Sequence, residues 1–166
     1  MAAAGGSLAL ASCHRHPAHA KGPGGKSLTA DELALCAAAC ERVLPTDRDA
    51  GARELGIVDY IDRRLARTGR RPLQQRRKLK RGLARLDEWS EKRNHRSFLE
   101  LAPDDQDETL ASLAAEGGDE GYAFVRQIVM LTMEGAFADP VYGGNRDKGG
   151  WKLIGFDAPC PNPSCE

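Results

Sequence analysis

The stretch at residues 120–137, EGYAFVRQIVMLTMEGAF, sets the architecture. Tyr122, Phe124, Val125, Ile128, Val129, Leu131 and Met133 make it apolar nearly all round when it is wound at 3.6 residues per turn. A helix of that character belongs at the centre of a bundle, with neighbours on several sides. The chain before it supplies the neighbours. Gly117-Gly118 separates it from a helix that Pro103 opens at its first turn, carrying Leu110, Leu113 and Ala114. A short turn around Phe98 and Leu101 precedes that helix. Further back, residues 74–92 set Leu79, Leu83, Leu86 and Trp89 on one face, and residues 52–66 do the same with Leu55, Val58, Ile61 and Leu65. Gly69 and Pro72 punctuate the join between these two. The first helix opens on a capping box, Thr29-Ala30-Asp31-Glu32, carries Leu33, Cys36, Cys40 and Leu44 as its stripe, and stops at Pro45. No segment reads as a strand. The expectation is an all-α, single-domain bundle of about five helices over residues 28–166, with an irregular tail from about residue 138.

Composition sets the outer bounds. A chain of 166 residues with 41% apolar residues suffices for one compact core. Lys and Arg total 24, as do Asp and Glu, so bulk charge argues for neither nucleic acid nor an anionic membrane. The distribution is uneven. From Arg63 to Arg81 the charges are all basic, and from Asp104 to Glu120 all acidic. Faces of opposite sign suit docking to a partner, and equally describe solvated helix faces that support each other.

The first 27 residues read as a signal-like segment followed by a flexible linker. Ala2 to Ala11 has the length and small apolar character of a signal core, and no run long enough for a membrane-spanning helix occurs. Leu10-Ala11-Ser12-Cys13 fits a lipobox, making Cys13 a lipidation candidate and a lipid anchor one route to the membrane; Ala18-His19-Ala20 fits a cleavage site instead. No Lys or Arg lies between Met1 and Cys13, so we expect the basic start of the signal, and with it a twin-arginine pair, to lie upstream. Export to the periplasm agrees with the cysteines. Of the five, Cys36, Cys40, Cys160 and Cys165 remain once Cys13 is set aside. Cys36 and Cys40 stand one turn apart on the first helix. The expectation is two disulfides tying the tail to that helix. The alternative is an iron–sulfur cluster on the same four cysteines, which would make the chain an electron relay.

Other motifs do not stand up to their own physics. Residues 20–27, AKGPGGKS, satisfy a permissive phosphate-loop pattern, but no strand precedes them. No Gly-x-Gly-x-x-Gly follows a strand, and no Cys-x-x-Cys-His is present. His14, His16 and His19 fall in the linker, where nothing would fix a metal geometry. His95 lies in a polar, charged stretch. We therefore assign no catalytic, cofactor or metal residue to this chain.

The tail is distinctive. Met133-Glu134-Gly135-Ala136-Phe137-Ala138-Asp139-Pro140-Val141-Tyr142-Gly143-Gly144-Asn145 is followed by Gly149-Gly150-Trp151-Lys152-Leu153-Ile154-Gly155-Phe156. Upstream stand Leu44-Pro45-Thr46-Asp47 and Gly51-Ala52-Arg53-Glu54-Leu55-Gly56-Ile57-Val58-Asp59-Tyr60-Ile61-Asp62. Together these resemble the gluconate 2-dehydrogenase subunit 3 family over most of residues 28–156. The resemblance implies a non-catalytic small subunit, which accompanies an exported flavoprotein of the glucose-methanol-choline type. That partner carries FAD and oxidises a sugar, sugar acid or glycoside, often with a cytochrome c subunit. The small subunit would assist its partner's folding and export.

Read physically, the tail has the parts of an interface. Gly143, Gly144, Gly149 and Gly150 allow tight backbone approach. Tyr142 and Trp151 supply large amphipathic surfaces. Asp139, Asn145, Arg146 and Asp147 are able to close turns on the backbone. The expected partner-binding residues are Asp139, Pro140, Tyr142, Gly143, Gly144, Asn145, Arg146 and Trp151. The same segment would also serve to cap its own bundle, with Trp151 in the core.

Overall fold

The computed structural model describes residues 25–157 and contains six α-helices and no strand among them. The capping box forms as expected. Thr29 accepts from the Glu32 N–H while Glu32 accepts from the Thr29 N–H, and α1 runs Ala30–Val43. Leu44 and Pro45 end it. Helix α2 spans Ile57–Leu65, shorter than the expected 52–66, because residues 52–56 form turns that close on Gly56 at φ 68°.

Helix α3 runs Arg70–Asn94, four residues earlier than the apolar spacing alone indicated. Pro72 falls in its first turn, where a proline takes no hydrogen bond from the helix, so it starts the helix instead of interrupting it. A 3₁₀ turn at Phe98–Glu100 leads to α4, Pro103–Glu116, and α5 follows at Gly118–Phe137. The tail adds 3₁₀ turns at Pro140–Tyr142 and Arg146–Lys148, then a sixth helix, α6, at Gly149–Leu153. Its five residues are too few to show a helical period in the sequence.

Helix α5 is the axis of the molecule and touches α1, α2, α3, α4 and α6. Phe124, Ile128, Leu131 and Ala136 meet Cys36, Ala39, Cys40, Ile57, Ile61, Leu79, Leu83 and Leu86 in one continuous core. Gly82 lets α3 approach α5 so closely that a Cβ there would enter the Phe124 ring. The all-round apolarity of α5 is only partly buried. Tyr122, Val129, Met130 and Met133 are exposed along its outer side. No helix among the described residues is long and apolar enough to cross a membrane.

Two carboxylates, one buried and one partly buried, hold loops to this body. Asp62, 6% exposed, accepts from the N–H groups of Lys26, Ser27 and Leu28 at 2.5, 2.8 and 2.9 Å, and from the Ser27 hydroxyl at 2.9 Å. Burial by itself would raise its pKa; the bonds outweigh burial and hold it below the ordinary value. Gly25 to Ser27, read from sequence as linker, are thereby fixed against α2. Glu41 similarly accepts from Thr46 and Arg53, closing the loop between α1 and α2. Partial burial pulls its pKa up, and the bonds from Thr46 and Arg53 carry it down below the usual value.

Candidate docking surface

The end of α5 explains the tail. A helix leaves its last carbonyls without intrahelical partners, and here the tail supplies the donors. Trp151 Nε1 donates to the Phe137 carbonyl at 2.9 Å, and Asn145 Nδ2 donates to that of Ala138 at 2.9 Å. Asn145 Oδ1 accepts from the Gly150 N–H at 2.8 Å, so one fully buried side chain joins the end of α5 to the start of α6. Gly144 lies against the Gly135 carbonyl and the Tyr60 side chain, and a Cβ there would collide with that oxygen. Trp151 is 9% exposed and meets Phe156 edge to face at 5.2 Å.

Between these inward anchors the chain turns outward. The Asp139 carboxylate accepts from the Val141 N–H at 2.9 Å, Pro140 opens the 3₁₀ turn, and Gly143 closes it at φ 99°, a conformation available mainly to glycine. The result is a fixed knuckle. Val141 and Tyr142 stand 76% and 60% exposed on it, while Gly143 packs beside the Arg63 side chain. Arg146 reaches back to pair with Asp59 and lies over Gly56. Asn145, Asp147 and Lys148 all hold positive φ without being glycine. Such strain persists only where surroundings over-determine the backbone, and it concentrates at functional segments.

The eight expected partner-binding residues are therefore brought together but face two ways. Gly144, Asn145 and Trp151 are turned into the chain's own bundle. Tyr142 and Arg146 are turned to solvent, with Asp139, Pro140 and Gly143 shaping the turn between them. Two exposed apolar elements escaped the sequence reading. Val141 stands exposed beside its aromatic neighbour, and the outer side of α5, expected in the core, faces solvent. Arg126, exposed between Tyr122 and Val129, marked that side as solvent-facing.

Other expected sites are placed more simply. Cys36 and Cys40 are fully buried on α1 and form no disulfide among the described residues; Cys13, Cys160 and Cys165, and with them the expected tail disulfides, lie outside the described residues. The hydrogen bond to Cys40, with complete burial, pushes the Cys36 thiol well above its ordinary pKa and so keeps it protonated. Among the described residues no group of three or more His, Cys, Asp or Glu side chains is positioned to hold a metal ion. His95 caps the end of α3 in a left-handed conformation and is exposed. His14, His16 and His19 lie outside the described residues.

A family model described as gluconate 2-dehydrogenase subunit 3 matches residues 30–158, which takes in all six described helices and the tail as far as residue 158. The chain belongs to the gluconate 2-dehydrogenase subunit 3 family. Membership makes it one of a family of subunits of a dehydrogenase complex. No curated protein and no solved structure gives a significant match. In this gluconate 2-dehydrogenase subunit 3 the tail divides into a buried clasp and an exposed knuckle.

Proposed function

We propose that this chain is a non-catalytic accessory subunit of an exported, FAD-dependent sugar, sugar-acid or glycoside dehydrogenase. It binds the flavoprotein subunit and assists its maturation, stability and export. The chemistry belongs to the partner and its FAD; this chain contributes a rigid helical body and a docking surface. The observation that carries the reading is the family match together with a tail whose buried residues hold two exposed apolar side chains in one fixed turn. A preorganised anchor of this kind loses little conformational entropy on binding. The outer side of α5, with Tyr122, Val129, Met130 and Met133, supplies further apolar area for association.

The test is co-expression of the flavoprotein subunit with and without this chain, reading flavin content and the compartment in which the flavoprotein is found. The expected result is loss of flavin loading, of export or of both when the chain is omitted. A flavoprotein fully loaded and exported on its own would overturn the reading.

A further inference from the structure

The ion pairing of α3 changes along its length. In the C-terminal half, Arg85 pairs with Glu120 and Arg93 with Glu116, across to the α4–α5 hairpin. In the N-terminal half, Arg70, Arg71, Arg76, Arg77, Lys78 and Arg81 form no ion pair among the described residues, and all but Arg76 are exposed. Lys80 is the exception there, paired with Glu32 across to α1. Arg63 on α2 and Arg67 just beyond its end are likewise exposed and unpaired among the described residues. Whole-chain charge is zero, so this excess is local and does not serve general solubility.

The arrangement works against the isolated fold. Arg77 and Arg81 are like charges one turn apart. Arg70 and Arg71 stand at the positive end of the α3 dipole, in a first turn that contains no acid. An apposed anionic surface would relieve both penalties. Through Arg63 the α2 part of this basic run adjoins the knuckle, since Arg63 packs against Gly143 directly after Tyr142. Aromatic and arginine side chains in one patch, with an apolar anchor and a charged rim, are the composition of a protein interface.

We propose that the basic end of α2–α3 and the Val141–Tyr142 knuckle form one docking surface for an acidic, pocketed face of the flavoprotein subunit. The knuckle fills the pocket and the arginines meet carboxylates around it. This rests on the accessory-subunit reading above and names the chemistry of the partner's face.

The test measures binding of the full chain to the purified flavoprotein subunit at about 50 and about 300 mM salt. It compares wild type with the triple variant Arg70→Glu/Arg71→Glu/Arg77→Glu, with Tyr142→Ala, and with Lys92→Glu as a control on the far half of α3. Circular dichroism melts confirm that each variant folds. Salt should weaken the wild-type complex by about tenfold or more, and the triple variant should lose at least about tenfold at low salt, mostly in association rate. Tyr142→Ala should also lose about tenfold or more, and Lys92→Glu should bind as wild type. If wild type binds but salt, charge reversal and Tyr142→Ala each change affinity by less than about threefold, the docking surface is wrong and the accessory role stands. If wild type forms no complex, both fail. Phosphatidylglycerol vesicles and duplex DNA serve as parallel probes. Binding to either that the triple variant abolishes, with flavoprotein binding intact, would reassign the surface and overturn the proposal.

Discussion

Asp62 is the residue on which the start of the described chain depends. Its carboxylate gathers three backbone N–H groups and a hydroxyl, and these bonds exist in full only while it is ionised. Its folded pKa lies below the unfolded value near 4, so it contributes stability above that value and the contribution is lost as pH falls through the folded pKa. Glu41, shifted the same way, adds a parallel dependence. Wild-type urea midpoints should therefore drop between about pH 6 and about pH 3.5. Asp62→Asn should be less stable at the upper pH and respond less steeply. Equal slopes for the two proteins would show that the carboxylate charge is not what fastens residues 26–28. None of this was legible in the sequence, because Asp62 reads as one more polar position on a helix. Its role depends on a segment more than thirty residues away.

At the scale of elements, the crossing of α3 and α5 is set by the absence of a side chain at Gly82. Gly82→Ala would gain up to about 1 kcal/mol of helix propensity. Against this, the new methyl would meet the ring of Phe124, which is only 3% exposed. Overpacking of that kind costs roughly 1–3 kcal/mol, so the substitution should lower the melting temperature. Phe124→Leu in the same chain should restore part of the loss. A melting temperature raised by Gly82→Ala alone would contradict the close contact. The elements themselves were largely legible: the capping box at Thr29, Pro103 and the Gly117-Gly118 break each carry a local mechanism that acts wherever they occur. Boundaries shifted where local backbone chemistry outweighed apolar spacing, at the left-handed Gly56 and at Pro72 in the first turn of α3. The outer side of α5 was misread because periodicity measures apolarity, and burial also needs a neighbour.

For the molecule as a whole, the tail separates stability from association. Trp151→Ala removes a buried ring and the donor to Phe137, and should destabilise the subunit by roughly 3–5 kcal/mol. Tyr142→Ala removes an exposed ring and should leave the melt within about 0.5 kcal/mol of wild type, while the complex with the flavoprotein weakens by about 2 kcal/mol. Equal effects of the two variants on the melt would erase the distinction between clasp and knuckle. The residues of this region were legible as a motif, but which of them turn inward was not, since glycine and turn chemistry permit either. The bonding of Trp151 and Asn145 to the last carbonyls of α5 has one more result. Without them the central helix would fray from its carboxyl end, just before the turn that carries Tyr142. Whatever grips the knuckle from outside therefore damps the breathing of the bundle's spine, and the subunit should grow harder to melt as the concentration of its captor rises.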